Sequence, residues 1–190
     1  MSKRISLTTL AHNLIEKELT EGDIVIDATI GNGHDTAFLA KQIGRQGTVF
    51  GFDVQQQAIS TTQFHLEQAK FENFCLFHAS HSEMDRHIPT QQQGKVKLIM
   101  FNLGYLPGSD KTVITQTNTT LIALNKSIIL LAPNGIVTIA AYPGHSGGEV
   151  ETEQVKLWCE QLDPLLYTFE QIRSSEKANA PRLFIVRKKS

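Results

Sequence analysis

Apolar positions recur along this chain in two rhythms. Consecutive apolar runs in "DIVIDA" (23–28), "GTVFGFD" (47–53), "NFCLFHA" (73–79), "KVKLIMFN" (95–102) and "IVTIAAY" (136–142) predict short buried strands. Between them the spacing lengthens to that of helices. Residues 7–19 put Leu7, Leu10, Ala11, Leu14, Ile15 and Leu19 on one stripe, and further helices are expected over 36–43 and 58–70. A long one over 112–131 has Ile114, Leu121, Ile122, Leu124 and Ile128 for its buried side, and Asn134-Gly135 then turns the chain into the fifth strand. "GGEVETEQVKLWCEQLD" (147–163) predicts a helix with acids near its start, where the backbone dipole favours them. "LLYTFEQIR" (165–173) and "RLFIVRKK" (182–189), joined by "SSEKANAP", read as a closing hairpin.

Strands alternating with helices predict an α/β fold, a mostly parallel sheet with helices on both faces. Five strands joined by helices and then a hairpin narrow this to a seven-stranded sheet with one antiparallel strand inserted at the edge. Ligands of such sheets bind at the carboxyl ends of the strands, where strand order reverses. That rule directs attention to Asp27, Asp53, residues 78–81, Asn102 and Tyr142, all at expected strand ends.

With no repeat or linker, a chain of 190 residues and 41% apolar content is expected to form a single domain over 1–190, the N-terminal helix of 1–20 packed on it. A net charge of −1 excludes gripping nucleic acid by bulk charge and leaves only a local footprint. No run approaches the ~18 apolar residues of a membrane span, so a cytoplasmic protein without membrane contact is expected. Cys75 and Cys159 lack metal-ligand spacing; buried free thiols and no metal site are expected.

"DATIGNGHDTAFLA" (27–40) reads as a strand end, a glycine turn and a helix start. A dinucleotide site needs a third glycine for close packing of helix and strand, and here Gly31 and Gly33 are followed by Thr36. Asp27 precedes the turn, where its charge repels phosphate and attracts a cation. S-adenosyl-L-methionine meets that demand, with a sulfonium, an amino group and no phosphate. Asp53, at the end of the second strand, stands where an acid receives ribose hydroxyls. Asn32, Asp35 and Thr36 complete the turn and helix start. The plainer reading of Gly31 and Gly33 is turn geometry alone, and of Asp27 a helix cap. In "ASHSEMD", Ser80 or His81 falls against an adenine edge, or else His81 is a solvated loop histidine.

"FNLGYLPGSD" (101–110) leaves the fourth strand beside the first, where a methyl group would point. An amine acceptor must present a neutral lone pair to that carbon. The Asn102 side-chain oxygen and the carbonyls of Leu103 and Gly104 can orient its N–H bonds, and such positioning supplies much of the catalysis. An ammonium must first lose its proton; Asp110 and His145 are candidates to assist. Tyr105 and Tyr142 either face a base or pack locally, and His145 in "YPGHSGGE" either serves the reaction or touches phosphate or solvent. Lys3, Arg4, Lys111, Lys177, Arg182, Arg187, Lys188 and Lys189 either contact phosphates or form solvated surface.

"DATIGNGHDTAFLA", "GFDVQQQAI", "FNLGYLPGSDK" and "YPGHSGGEVE" resemble, in this order and over nearly the whole chain, the MnmM/YtqB-like tRNA methyltransferase family, formerly labelled rRNA methylases. "NLGYLPG" and "GH.GG..E" are its specific signatures. The resemblance implies the class I, Rossmann-like methyltransferase fold and methylation of 5-aminomethyl-2-thiouridine at the tRNA wobble position. It implies cofactor roles for Asp27, Asn32, Gly33, Asp53 and Gln55, and substrate-side roles for Asn102, Tyr105, Tyr142 and His145. The implied partner is the tRNA anticodon stem-loop, whose unpaired base can be splayed into a pocket. A homodimer docked through the N-terminal helix stays open. Arg182 stands where the family pattern would have a second proline after Pro181. Alternatives are methylation of rRNA or of a small-molecule amine, a nicotinamide oxidoreductase, opposed by Thr36 and Asp27, and a non-catalytic cofactor-binding module, which leaves "NLGYLP" unexplained.

Overall fold

A computed structural model describes residues 6–104, 114–177 and 179–190. Its strands are β1 (Ile24–Asp27), β2 (Thr48–Asp53), β3 (Phe74–His78), β4 (Val96–Asn102), β5 (Leu131–Ala141), β6 (Tyr167–Arg173) and β7 (Arg182–Lys188). The helices among the described residues are α1 (Leu7–Ile15), α2 (His34–Gln42), α3 (Gln56–Gln68), α4 (Met84–His87), α5 (Thr117–Leu130) and α6 (Gly148–Glu160). The strands form one seven-stranded sheet in the order β3-β2-β1-β4-β5-β7-β6. The first five run parallel, and β7 lies antiparallel between β5 and the edge strand β6.

The apolar runs are continuous because both faces of the sheet are covered. Successive side chains point to opposite faces. Ile26, Phe50, Phe52, Ile99, Phe101, Val137, Phe184 and Val186 therefore share one core with Leu124 of α5 and Val155 and Trp158 of α6. Their neighbours Val25, Val49, Leu98, Met100, Ile136, Leu183 and Ile185 enter the other, with Leu7, Ala11 and Ile15 of α1 and Leu39 of α2. The expected stripe thus seats α1 on the sheet, and the Ser6 side chain caps it by accepting from Thr9 N at 3.0 Å.

Several expectations are corrected. The fifth strand begins at Leu131, ahead of Asn134-Gly135, which sits inside it as an irregularity: Asn134 has φ +58° and the pairing with β4 shifts there. The polar sequence "ASHSEMD" conceals a 3₁₀ turn (His81–Glu83) running into α4, with Met84 fully buried. Cys159 is buried, and burial followed by the charge of Glu160 pushes its thiol up to about 12. Cys75 is exposed, because β3 is an edge strand. Among the described residues no helix is long and apolar enough to cross a membrane.

Phe184 pairs with Ile139 at the middle of β7 and is fully buried, whereas Phe64 on α3 is 58% exposed. Phe184→Ala is expected to lower unfolding free energy by about 3–5 kcal/mol. Phe64→Ala should change it by under about 0.5 kcal/mol, as for surface substitutions generally. Urea titration followed by far-UV circular dichroism measures both; equal losses would contradict this placement.

Candidate active site

Strand order reverses between β1 and β4, and a cavity of about 640 Å³ opens at the carboxyl ends of these strands. The turn after β1 supplies Gly31 and Asn32, and the first turn of α2 supplies Asp35. Asp53 and Gln55 line the cavity from the end of β2, His81 from the 3₁₀ turn, Asn102 from the end of β4, and Tyr142 and His145 from the loop after β5. With Leu103 and Gly104, which also line it, eleven residues singled out by the sequence, separated by up to 114 positions, thereby share one cavity.

Others lie elsewhere. Asp27 is fully buried under the glycine turn, where its carboxylate accepts from the Thr36 hydroxyl at 2.6 Å and from Thr29 N at 3.2 Å. It is neither a helix cap nor a lining residue, because the short β1 ends inside the sheet. Thr36 is correspondingly buried as its partner. Gly33 holds the N-terminus of α2 in the left-handed region at φ +78°, and a Cβ there would collide with the Thr62 hydroxyl of α3. The third glycine of a dinucleotide motif is thus absent, while close helix packing is still met at Gly33. Ser80 does not reach the cavity; its hydroxyl accepts from Ser82 N at 3.2 Å and caps the 3₁₀ turn. Tyr105 and Asp110 lie outside the described residues.

Asp53 is gripped by two backbone amides, Gly31 N at 2.9 Å and Gln55 N at 2.8 Å, which fix its carboxylate at the mouth of the glycine turn. Asp35 joins three elements. Its Oδ1 meets His12 Nε2 of α1 at 2.6 Å, and its Oδ2 accepts from Asn102 Nδ2 at 2.5 Å. The His12 ring also stacks flat on Phe38 at 3.8 Å. The main-chain N–H of Asn102 donates to the Thr29 hydroxyl at 2.7 Å. With its amide nitrogen committed to Asp35, Asn102 keeps Oδ1 buried without a partner among the described residues. A buried acceptor without a donor is costly unless something else fills the role. The Gly104 carbonyl, expected to aid Asn102, instead accepts from Thr115 N at 2.8 Å.

His81 is also buried rather than solvated, and its Nε2 lacks a partner among the described residues. Desolvation drives its imidazole down to about 4, against a smaller opposing hydrogen bond to the Ala28 backbone, so the ring is neutral and an acceptor at neutral pH. Burial, then the charge of Asp35, pushes Asp27 up to about 7. Burial also raises the Tyr142 hydroxyl, with a hydrogen bond to Thr8 acting the other way. Among the described residues no group of acids, histidines and cysteines could hold a metal ion.

Thr8, Thr29 and His12 were missed by sequence reasoning. Thr8 and His12 read as the polar side of the first helix, and no local pattern links His12 to Asp35, which is 23 residues away. Of the basic candidates, Arg182 is buried in an ion pair with Glu153, Arg187 pairs with Glu18, Lys188 donates to the Leu131 carbonyl and Lys189 to the Pro164 carbonyl. Lys177 is exposed, and Lys3, Arg4 and Lys111 lie outside the described residues.

Sheet order, inserted antiparallel strand and a cavity at the switch point define the class I, Rossmann-like methyltransferase fold. Within that class the chain belongs to the family described as "Putative rRNA methylase", whose model matches residues 49–188. A Clostridium thermocellum crystal structure of the same description superposes with a TM-score of 0.90 at 37% identity, covering 100% of both chains. A Streptococcus mutans protein, "a putative methyltransferase" in complex with SAH, gives 0.85 at 31% identity over 99% of both. An Arabidopsis thaliana protein named "tRNA (mnm(5)s(2)U34)-methyltransferase, chloroplastic" is 40% identical over 162 residues, 80% of this chain. The chain spans 58% of that protein's length.

The two displaced ionisations act on stability with opposite signs. Unfolded His81 takes a proton near 6.5 that the folded ring refuses until about 4, so its contribution is lost as pH falls through that window. Folded Asp27 keeps its proton to about 7 while the unfolded acid releases it near 3.8, so its contribution is lost as pH rises between them. His81→Phe is expected to remove a loss on the order of 3 kcal/mol between pH 6.5 and 4. Asp27→Asn should flatten the opposite slope. Urea midpoints across pH 4–7 test both, and unchanged pH profiles would refute the assignments.

Proposed function

We propose that this protein transfers a methyl group from S-adenosyl-L-methionine to the amino nitrogen of 5-aminomethyl-2-thiouridine at the wobble position of tRNA. The observation that carries the reading is the Asp35–Asn102 contact at the cavity wall, which commits the Asn102 amide nitrogen and leaves its buried Oδ1 without a partner among the described residues. The 40% identity to the Arabidopsis tRNA methyltransferase and the SAH complex of the Streptococcus mutans neighbour support the acceptor and the cofactor respectively.

The residues present fit this cofactor. Asp53 would receive ribose hydroxyls through lone pairs left over from its two amide contacts. The neutral Nε2 of His81 offers an acceptor for an adenine amino group. Asp35 lends negative charge to the end of the cavity at Asn102, which would suit a cofactor whose sulfonium and amino group are both cationic. Gly31 and Asn32 let the backbone approach closely, and Gln55 lies beside Asp53. Asp27 acts from beneath, through the turn. When bound, the cofactor supplies a methyl group already activated on positive sulfur.

Asn102 Oδ1 would accept one N–H of the incoming amine and aim its lone pair, so that positioning does most of the work. Tyr142 and His145 line the cavity on the side given to the acceptor, with His145 or Asp110 taking the ammonium proton; for Tyr105 the substrate-side role rests on the family resemblance alone. The protein is read as one domain acting in the cytoplasm on the anticodon stem-loop, as a monomer or as a homodimer through α1. The family description names rRNA, so an rRNA acceptor is the second reading.

Mass spectrometry of wobble nucleosides, after incubating tRNA that carries the unmethylated amine with protein and labelled cofactor, is expected to show label on that nucleoside; label on rRNA alone would select the second reading. Asn102→Ala should hold cofactor affinity, by calorimetry, within about threefold of wild type. Its turnover should fall at least about 100-fold, as expected when a positioning contact is lost. Equal losses in both would contradict the role.

A further inference from the structure

The motif "GH.GG..E" ends on Glu151, a residue to which no role has yet been attached. The rest of the motif follows from packing. Gly147 takes the left-handed region at φ +77°, and a Cβ on Gly148 would strike the Tyr142 carbonyl and sit 2.8 Å from His145 Nε2. Glu151 needs a different account. It lies in the first turn of α6, is 2% exposed, and has no cation among the ion pairs of the described residues. Its Oε1 accepts from the Thr120 hydroxyl and its Oε2 from the Thr115 hydroxyl, each at 2.7 Å. Two hydroxyl donors and the positive end of a helix offset the burial of the carboxylate.

Direction is what these bonds add. A carboxylate only accepts, so it draws the Thr115 proton toward itself and turns a Thr115 lone pair toward Gly104 N, 2.9 Å away. The Gly104 carbonyl accepts in return from Thr115 N at 2.8 Å. Gly104, at φ +136°, stands two residues after Asn102 and lines the cavity, as does Thr115. We propose that Glu151 is a positioning residue: through the polarity of the Thr115 hydroxyl it fixes the Gly104 peptide and so sets the acceptor side of the cavity. The proposal rests on the methyl-transfer reading for its kinetic consequence and on geometry alone for the brace.

Thr120 separates this role from a merely structural one, because it gives Glu151 a hydrogen bond of the same length without touching Gly104. Thr115→Val and Thr120→Val are expected to lower the melting temperature alike. Only Thr115→Val should speed exchange of the Gly104 amide hydrogen, by about tenfold or more, as local protection is lost. It should also lower turnover by about tenfold or more with cofactor affinity within about twofold, the signature of lost positioning. Thr115→Ser, which keeps the hydroxyl, should restore both. Glu151→Gln should reduce turnover alone yet add nothing in the Thr115→Val background, since residues acting as one unit are not additive.

Equal effects of Thr115→Val and Thr120→Val on Gly104 exchange, additive turnover losses, or cofactor affinity falling in step with turnover would each overturn the proposal. Should the wild-type protein transfer no methyl group, the functional reading falls, and the exchange pattern across the same variants still decides the brace.

Discussion

The carboxylate of Asp35 is the contact on which the site depends. One oxygen faces His12 of the N-terminal helix and the other the amide of Asn102 at the end of β4. Asp35 itself rides in the first turn of α2, where the helix dipole favours an acid. Three elements far apart in the chain are thus joined at the point where the strand order reverses. Because an amide has one oxygen and one NH₂ group, committing the nitrogen decides which atom is left for a ligand. Without the acid, Asn102 could present either end, and the cavity would lose its defined acceptor.

The acids and histidine around that contact show how burial sets charge. Asp27 is pushed up by desolvation and by its neighbour Asp35, and the Thr36 hydroxyl only partly offsets this. His81 is pushed down by the same loss of water. A low-dielectric pocket disfavours whichever form is charged, so the acid gains a proton and the base loses one. A cationic ligand would alter this balance most at Asp27, and a neutral purine edge would suit His81. The region is therefore electrostatically uneven, with negative charge near Asn102 and a neutral acceptor at His81.

The loops over the strands use glycine and buried carboxylates as complementary devices. Glycines at 33, 147 and 148 permit approaches that a Cβ would block or strain. Asp53 and Glu151 then fix those loops by accepting from backbone amides and hydroxyls. Buried polar networks of this kind hold one arrangement because an unmade hydrogen bond away from water is costly. Related structures at 31–37% identity keep the fold at TM-scores of 0.85–0.90.

The order of the strands and of the longer helices, the closing hairpin and the opening of the cavity at the strand ends were legible in the sequence, because each is written in local periodicity and in a general rule of α/β sheets; the 3₁₀ turn and α4 were not. So were Asp53, Asn102 and the glycine turn, whose types and positions are local. Proximity was not legible. That His12 meets Asp35, that Asp27 lies beneath the turn with Thr36, that His81 is buried rather than solvated, and that Arg182 and Arg187 are tied into ion pairs all depend on which faces the sheet brings together. The irregularity at Asn134 and the exposure of Cys75 likewise follow from strand pairing and edge position. Periodicity records which residues leave water, but a side chain's partner and its ionisation are set by neighbours distant in the chain, and only the packed tertiary structure supplies those.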